Sequence, residues 1–350
     1  MKPVGWAVVG SSEFVQRRML PAMSDSELAV VHTIVSRSPE ATRAIADKFG
    51  VPSVVADPAE AVADPAVEAV YIATPVFLHA PQIRTCLQAD KAVLCEKPLA
   101  LNLAKAEEIR RDVRESGRLF MEGYMLRFHG AHVLARQIID AGRLGQLTVA
   151  EVDMSFWYPP AGVWRQRWRE GGGGGLMDVG SHAVHLVQTL VGRVRSVQAL
   201  VGTQVHDYEV DDGATLLLGV EPNVHVVVRS AFNARPGRSF WRISGTLGQL
   251  TGIGTAGQSP DGTLLGQFVN PDDPTAPTDE RELEYARVNT YKTMLETFCR
   301  ALRTGQAASV NAIDESVSVM RVLDAAYRSS REARRIDLPD ALSPPDRARP

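Results

Sequence analysis

Long apolar runs, paired cysteines and a surplus of either charge are all missing from this chain of 350 residues. No stretch of about 18 apolar residues occurs, so a membrane-spanning helix is not expected. The opening residues, Met1-Lys2-Pro3-Val4-Gly5-Trp6, have neither the apolar core nor the small-residue cleavage site of a signal peptide. Cys86, Cys95 and Cys299 stand far apart, with no pair at metal or redox spacing. They read as small buried apolar residues; no metal is expected, and a reducing cytoplasm is the expected location. The formal net charge is only -3, with no long run of one sign, which argues against nucleic acid as a partner.

Apolar residues make up 45% of the chain and charged residues 23%. The length suits two domains, each with its own core. Up to about residue 120, short apolar runs alternate with helical patterns. Strands are expected at 4–9, 28–35, 67–73, 92–95 and 119–122. Helices are expected at 15–23, interrupted by Pro21, and at 39–49, 58–62, 79–88 and 103–116, with Gly50 as a C-cap. Strands that are apolar on both faces and alternate with helices indicate a doubly wound parallel sheet of Rossmann type, here over residues 1–125.

Residues 126–338 have a different grammar. Helices are expected at 131–139, closed by Gly142 and Gly145, and at 179–191, 290–302 and 312–332. Strands are expected at 147–157, 194–204, 213–220, 223–232 and 239–246. This reads as an α+β domain on a largely antiparallel open sheet, which makes the whole chain α/β with an appended α+β half. Residues 339–350, with Ser343-Pro344-Pro345-Asp346, are expected to be a disordered tail.

After the first strand comes Gly10-Ser11-Ser12-Glu13-Phe14-Val15. A dinucleotide fingerprint would read G-x-G-x-x-G or G-x-G-x-x-A. Only its first glycine is present; Ser12 and Val15 occupy the other two places. By itself such a glycine is as readily a simple turn, although the serine hydroxyls can donate to phosphate at a helix N-terminus. The second strand ends in Ser36-Arg37-Ser38 instead of an acidic residue. An arginine flanked by hydroxyls suits the 2′-phosphate of NADP better than the ribose hydroxyls of NAD; the plainer reading is a solvated loop arginine.

Four stretches resemble the glucose-fructose oxidoreductase / inositol dehydrogenase / rhizopine catabolism family, Gfo/Idh/MocA. They are Ile72-Ala73-Thr74-Pro75 with Leu78-His79, Cys95-Glu96-Lys97-Pro98-Leu99-Ala100, Gly172-Gly173-Gly174-Gly175-Leu176-Met177-Asp178-Val179-Gly180-Ser181-His182, and Asp314-Glu315-Ser316 to Asp324-Ala325-Ala326-Tyr327. The resemblance covers roughly residues 3 to 338. It implies a cofactor site of Gly10, Ser11, Ser12, Glu13, Phe14, Ser36, Arg37, Ser38, Thr74, Pro75, Leu78, His79, Glu96, Lys97 and Arg165. It implies catalysis by Lys97, Asp178 and His182, and a substrate pocket that adds Tyr124, Arg127, Trp164 and His185.

The residues fit that reading physically. Lys97 lies at the carboxyl end of a buried strand, where ligands bind in open α/β sheets. A cis Lys97-Pro98 bond would hold its ammonium over the nicotinamide. Asp178 and His182 are four apart, so a helix would stack them on one face; the carboxylate would orient the imidazole and raise its pKa. The plainer reading makes Asp178 a helix cap and His182 an ordinary helix residue. The aromatic faces of Trp157, Tyr158, Trp164 and Trp168 suit pyranose rings.

Three departures from the family stand out. His185 replaces an aspartate, Val76 replaces an asparagine, and the glycine loop is degenerate. The resemblance implies an NAD(P)-dependent dehydrogenase or reductase, with NADP(H) preferred and NAD allowed, acting on a sugar, polyol or ketosugar. Two alternatives are a cofactor-retaining isomerase, lyase or glycosidase working by transient oxidation, and a non-catalytic dinucleotide sensor. A homodimer or homotetramer is expected.

Overall fold

The computed structural model describes residues 1–270, 278–306 and 312–339. The tail expected to be disordered lies, after Pro339, outside the described residues. Strands β1 (Val4–Val9), β2 (Ala29–Val35), β3 (Ser53–Val55), β4 (Ala69–Ile72), β5 (Ala92–Cys95) and β6 (Phe120–Glu122) form one sheet in the order β3-β2-β1-β4-β5-β6. All its neighbours pair in parallel. β1, β4 and β5 are buried along their whole length, which is why they read as unbroken apolar runs and not as alternation. Helices α1 (Leu20–Ser24), α2 (Pro39–Lys48), α3 (Pro58–Ala63), α4 (His79–Gln88) and α5 (Leu103–Ser116) connect them. Chain order reverses between β1 and β4, which opens a crevice at the carboxyl ends of those strands.

Two expectations about this half are corrected. β3 was not expected; it has only three half-buried residues, too few to show a pattern. The interruption at Pro21 does not occur. Val15–Met19 instead adopt a π turn, in which the Leu20 N–H reaches back to the Val15 carbonyl, and the helix continues into α1 with Pro21 in its first turn. A wider turn relieves the clash that a proline ring makes with the carbonyl four residues earlier.

The chain continues through α6 (Gly130–Asp140), β7 (Leu147–Trp157), α7 (Trp168–Gly171), α8 (Ser181–Leu190), β8 (Val194–Gly202), β9 (Gly213–Val220), β10 (Val224–Ala231), β11 (Asn233–Gly245), β12 (Gly248–Ile253), β13 (Thr263–Phe268), β14 (Arg281–Glu282), α9 (Thr290–Thr304), α10 (Ile313–Glu332) and β15 (Ile336–Asp337). Its strands form a second sheet in the order β14-β13-β12-β11-β7-β10-β9-β8-β15. β7 and β10 pair in parallel, and the other neighbours are antiparallel. β12 and β13 escaped the sequence pattern because glycines break their alternation. Gly252 lies opposite Trp241, and any side chain there would collide with the indole. Helices α8 and α10 pack on one face of this sheet. On the other face Leu200, Leu217 and Val227 stay exposed, and Leu217 and Val227 are cross-strand partners.

Helix α9 returns to the first sheet. The Phe298 ring of α9 packs 5.1 Å from Trp6 of β1. Arg303 grips the Glu68 carboxylate with two bonds of 2.5 and 2.6 Å. The hydrogen bonds from Arg303 hold the Glu68 carboxyl down at about 2. Among the described residues no helix is long and apolar enough to cross a membrane.

His132 on α6 is buried against Trp241 of β11. Its Nε2 accepts the Trp241 indole N–H at 3.1 Å, which leaves Nδ1–H to donate to the Leu126 carbonyl at 2.7 Å. Burial, and then the neighbouring His129, push its imidazole down to about 3. The unfolded chain therefore binds this proton at higher pH than the folded one, so stability falls as pH drops from about 6.5 towards 3, by roughly 1.4 kcal/mol per pH unit. Urea unfolding across that range should show this slope in the wild type and a shallower one in His132→Gln; equal slopes would assign the acid sensitivity to other groups.

Candidate active site

The turn Gly10–Ser12 lies at the crevice between β1 and β4. Gly10 has φ of 116°, and a side chain there would stand 2.6 Å from the Ala73 carbonyl oxygen, so glycine is required. Helical residues begin at Glu13, which leaves first-turn N–H groups open towards the turn. Val15, where the family fingerprint has a small residue, is fully buried against the sheet and opens the π turn. Ser12 curls onto its own helix, its hydroxyl accepting from the Val15 N–H at 3.4 Å.

At the end of β2 three hydroxyls converge. Ser11 and Ser36 lie 3.1 Å apart, and Thr42 donates to Ser36 at 2.7 Å. Thr42 was not anticipated from sequence. Arg37 and Ser38 are exposed beside this cluster, and Arg37 has no protein partner among the described residues. These residues fit a dinucleotide: an open helix start for its diphosphate, and a free guanidinium among hydroxyls in place of a carboxylate.

Lys97 follows β5, and the Lys97-Pro98 bond is cis. Its Nζ donates to Asp178 Oδ1 at 2.5 Å and to the Asp178 carbonyl at 3.1 Å. Arg165 Nε lies 3.7 Å from the other carboxylate oxygen and stacks 4.2 Å above the Trp164 ring. Burial pushes the Asp178 carboxyl up, but Lys97 and Arg165 outweigh it and hold the group below the usual carboxylate range.

The expected role of Asp178 towards His182 needs correction. The carboxylate is taken by Lys97 and Arg165, and His182 Nδ1 is buried with no hydrogen-bond partner among the described residues. Burial, and then the Lys97 charge, push the imidazole well below its ordinary value instead of above it. Leu176–Gly180 form a π turn, and the Asp178 charge acts on His182 only as a counterweight to burial and Lys97. What flanks His182 is Tyr124, edge-on at 5.7 Å, which stacks in turn on His185 at 4.1 Å.

The glycine run is held by Asp211, which the sequence did not reveal. Its carboxylate accepts the Gly174 N–H at 2.8 Å, the Leu176 N–H at 2.7 Å and the Tyr327 hydroxyl at 2.7 Å. A side chain at Gly174 would collide with the Asp211 carbonyl. This clamp aims the turn that bears Asp178.

Several expected site residues have protein partners of their own. His79 is 1% exposed and spans two loops, with Nε2 3.0 Å from the Thr74 carbonyl and Nδ1 3.1 Å from that of Pro98. It ties those loops together and does not line the crevice. Arg127 turns to Glu315 on α10 at 2.7 Å. Glu13 pairs with Arg17 along its own helix. Phe14 packs edge-on against Tyr291 at 5.7 Å. Thr74 donates to Gln82 at 2.6 Å, with Pro75 and Leu78 part-buried beside it. Glu96 accepts the Tyr71 hydroxyl at 2.7 Å. His185 is buried behind Tyr124.

Comparison with known proteins fits this geometry. Residues 4–124 match the oxidoreductase family with NAD-binding Rossmann fold, and residues 132–251 match the GFO/IDH/MocA C-terminal domain. The chain is 28% identical over 344 residues to D-xylose 1-dehydrogenase (NADP(+)) 2 of Haloferax volcanii, covering 95% of this chain and 99% of that protein. It is 35% identical over 247 residues to dTDP-3,4-didehydro-2,6-dideoxy-alpha-D-glucose 3-reductase of Streptomyces violaceoruber, covering 70% and 71%. Among solved structures, aldose-aldose oxidoreductase from Caulobacter crescentus, complexed with glycerol, superposes with a TM-score of 0.89 at 26% identity, covering 96% of this chain and all of the other.

If Asp211 holds the glycine run chiefly through the two backbone N–H groups, Asp211→Asn should cost roughly 2–3 kcal/mol in urea unfolding, and Tyr327→Phe only about 1 kcal/mol. Equal losses would place the hold in the tyrosine bond.

Proposed function

Because the chain belongs to the Gfo/Idh/MocA family of oxidoreductases, we propose that it moves hydride between NADP(H) and a sugar, polyol or ketosugar at Lys97, Asp178 and His182. The observation that carries this reading is the Lys97–Asp178 pair. Two residues 81 positions apart, from different halves of the chain, meet at 2.5 Å at the mouth of the crevice.

Bound NADP(H) supplies or accepts the hydride. Gly10, Ser11, Ser12, Ser36, Arg37 and Ser38 would hold it, with Lys97 and Arg165 as the charged groups gathered at Asp178. Asp178 stays a carboxylate across the physiological range and holds the Lys97 ammonium towards the substrate oxygen. His182 stays neutral at neutral pH, which suits it to take the proton of a substrate hydroxyl during oxidation. In the reductive direction the same path runs backwards: a protonated His182 returns the proton to the substrate oxygen, with Lys97 donating a hydrogen bond to that oxygen. Tyr124 and Trp164 offer ring faces to the substrate. The names of the relatives support a carbohydrate: one acts on xylose and one on a nucleotide-linked ketosugar. The preference for NADP rests on the free Arg37 and on the hydroxyl cluster that stands where NAD enzymes carry an acid.

The exposed face of the second sheet, with Leu200, Leu217 and Val227, is the surface we assign to self-association. Leu217→Arg should shift the sedimenting species to monomer; an unchanged mass would remove that face from any contact.

The decisive experiment titrates NADPH and NADH separately against the wild type and against Arg37→Ala, followed by a screen of ketosugars for NADPH oxidation. The wild type should bind NADPH more tightly. The variant should lose about 1.5–3 kcal/mol for NADPH, tenfold or more, with NADH unchanged. Binding of neither nucleotide would overturn the redox reading, and a preference for NADH would return Arg37 to the solvated loop.

A further inference from the structure

Beside the segments that carry Lys97 and Asp178 lies a cavity of about 300 Å³ that the proposed mechanism does not use. Its walls come from both halves of the chain. Leu101, in the loop that follows Lys97, forms one side, and Met177, the residue before Asp178, forms another. Between them the backbone of Gly172 presses on the Leu101 carbonyl, so closely that any side chain at that position would collide. None of the catalytic and cofactor residues named above lines the space.

The far wall is one face of α10, where Met320, Asp324, Tyr327 and Arg331 recur at helical spacing. Met177 and Met320 are buried and make an apolar floor. Tyr327 is fixed, because its hydroxyl donates to Asp211 at 2.7 Å. The Trp168 ring of α7 meets Tyr327 edge-on at 5.5 Å, yet Trp168 stays 45% exposed. Its backbone N–H donates to the Glu209 carboxylate at 3.1 Å, which holds it at the rim. An indole fixed half in water beside a cavity offers an open ring face. Neighbouring ions are matched: Arg167 pairs with Glu170, and Arg328 and Arg334 pair with Glu332. Three that line the cavity are not. The side chains of Arg169, Arg331 and Asp324 have no ion-pair or hydrogen-bond partner among the described residues.

We propose that this cavity is a second binding site, for a phosphorylated sugar, separate from the active crevice. Its volume suits one small ligand, and an apolar floor with a few charged groups is the usual make-up of such a site. Two unmatched guanidiniums call for an anion with several acceptor oxygens, and phosphate matches their fork of donors. The unmatched Asp324 narrows the choice. A bare anion or an aryl carboxylate would meet only repulsion there, whereas a ring bearing hydroxyls donates to that carboxylate. The Trp168 face then covers the C–H side of the sugar ring. A ligand seated in the cavity touches Leu101 and Met177 together, so it ties the two segments that present Lys97 and Asp178.

Calorimetric titration of the full chain, without nucleotide, compares glucose 6-phosphate with glucose and with inorganic phosphate. Glucose 6-phosphate should bind about tenfold or more tightly than either part alone. Arg331→Gln should weaken it by about tenfold. Trp168→Ala should weaken it severalfold. Asp324→Asn should weaken glucose 6-phosphate and leave inorganic phosphate unchanged. The bound ligand should also raise the melting temperature of the wild type, and not that of Arg331→Gln. Arg331 is exposed on the last turn of α10, so its replacement leaves the core intact. No measurable binding, or inorganic phosphate binding as tightly as the sugar phosphate, overturns the inference. So does binding that Arg331→Gln and Trp168→Ala leave intact, and its loss in Arg37→Ala or Lys97→Ala would then place the ligand in the crevice. Heat and melting read the cavity without turnover, so failure of the sugar-oxidoreductase reading leaves these outcomes untouched.

Discussion

Everything at this site depends on bringing Lys97 and Asp178 together. One ends a strand of the parallel sheet; the other rides on a glycine-rich turn that leads into the second sheet. Such a part-buried pair contributes little net stability, because desolvation offsets its attraction, yet removing one partner leaves an uncompensated charge. Its value is chemical: a fixed ammonium beside a fixed carboxylate at the mouth of a crevice. The surrounding structure reads as a set of braces for that one contact. His79 ties the two loops of the first sheet, Asp211 clamps the glycine run, and Gly172 and Gly174 let backbone approach where a side chain would collide.

The parallel sheet was legible because burial on both faces writes unbroken apolar runs, and because α4 and α5 carry clear helical spacing. Their observed bounds match the expected ones. The second sheet was half legible. β7 and β9 alternate and were seen, whereas β12 and β13 give up side chains to clear Trp241 and its neighbours, and so lose the period that marks a strand.

The site divides in a similar way. Lys97, Asp178 and His182 stood out by motif, and the structure brings Lys97 and Asp178 into contact. The relation between Asp178 and His182 was misjudged because spacing does not show which cations claim the carboxylate, and Lys97 and Arg165 do. His79 and Arg127 were placed in the site by resemblance, but each spends its polar atoms on other parts of the chain. Asp211 carries no local signal at all. It is one of two adjacent aspartates in a loop, and its partners lie some 35 and 37 residues earlier along the chain. Charge placement of that kind depends on which surfaces meet, and that is a property of the fold and not of any window of sequence.

The return of α9 to the first sheet has a bearing on how the chain is made. Trp6 and Glu68 are synthesised early, but Phe298 and Arg303, which cover and neutralise them, come nearly at the end. A nascent nucleotide-binding half therefore leaves the ribosome with an indole uncovered and a carboxylate unmatched. It cannot close its own flank until almost the whole chain is out. Although the two sheets look like separable modules, assembly is in this respect a single late event, and a ribosome that stalls before residue 290 releases a fragment that displays its own unfinished surface.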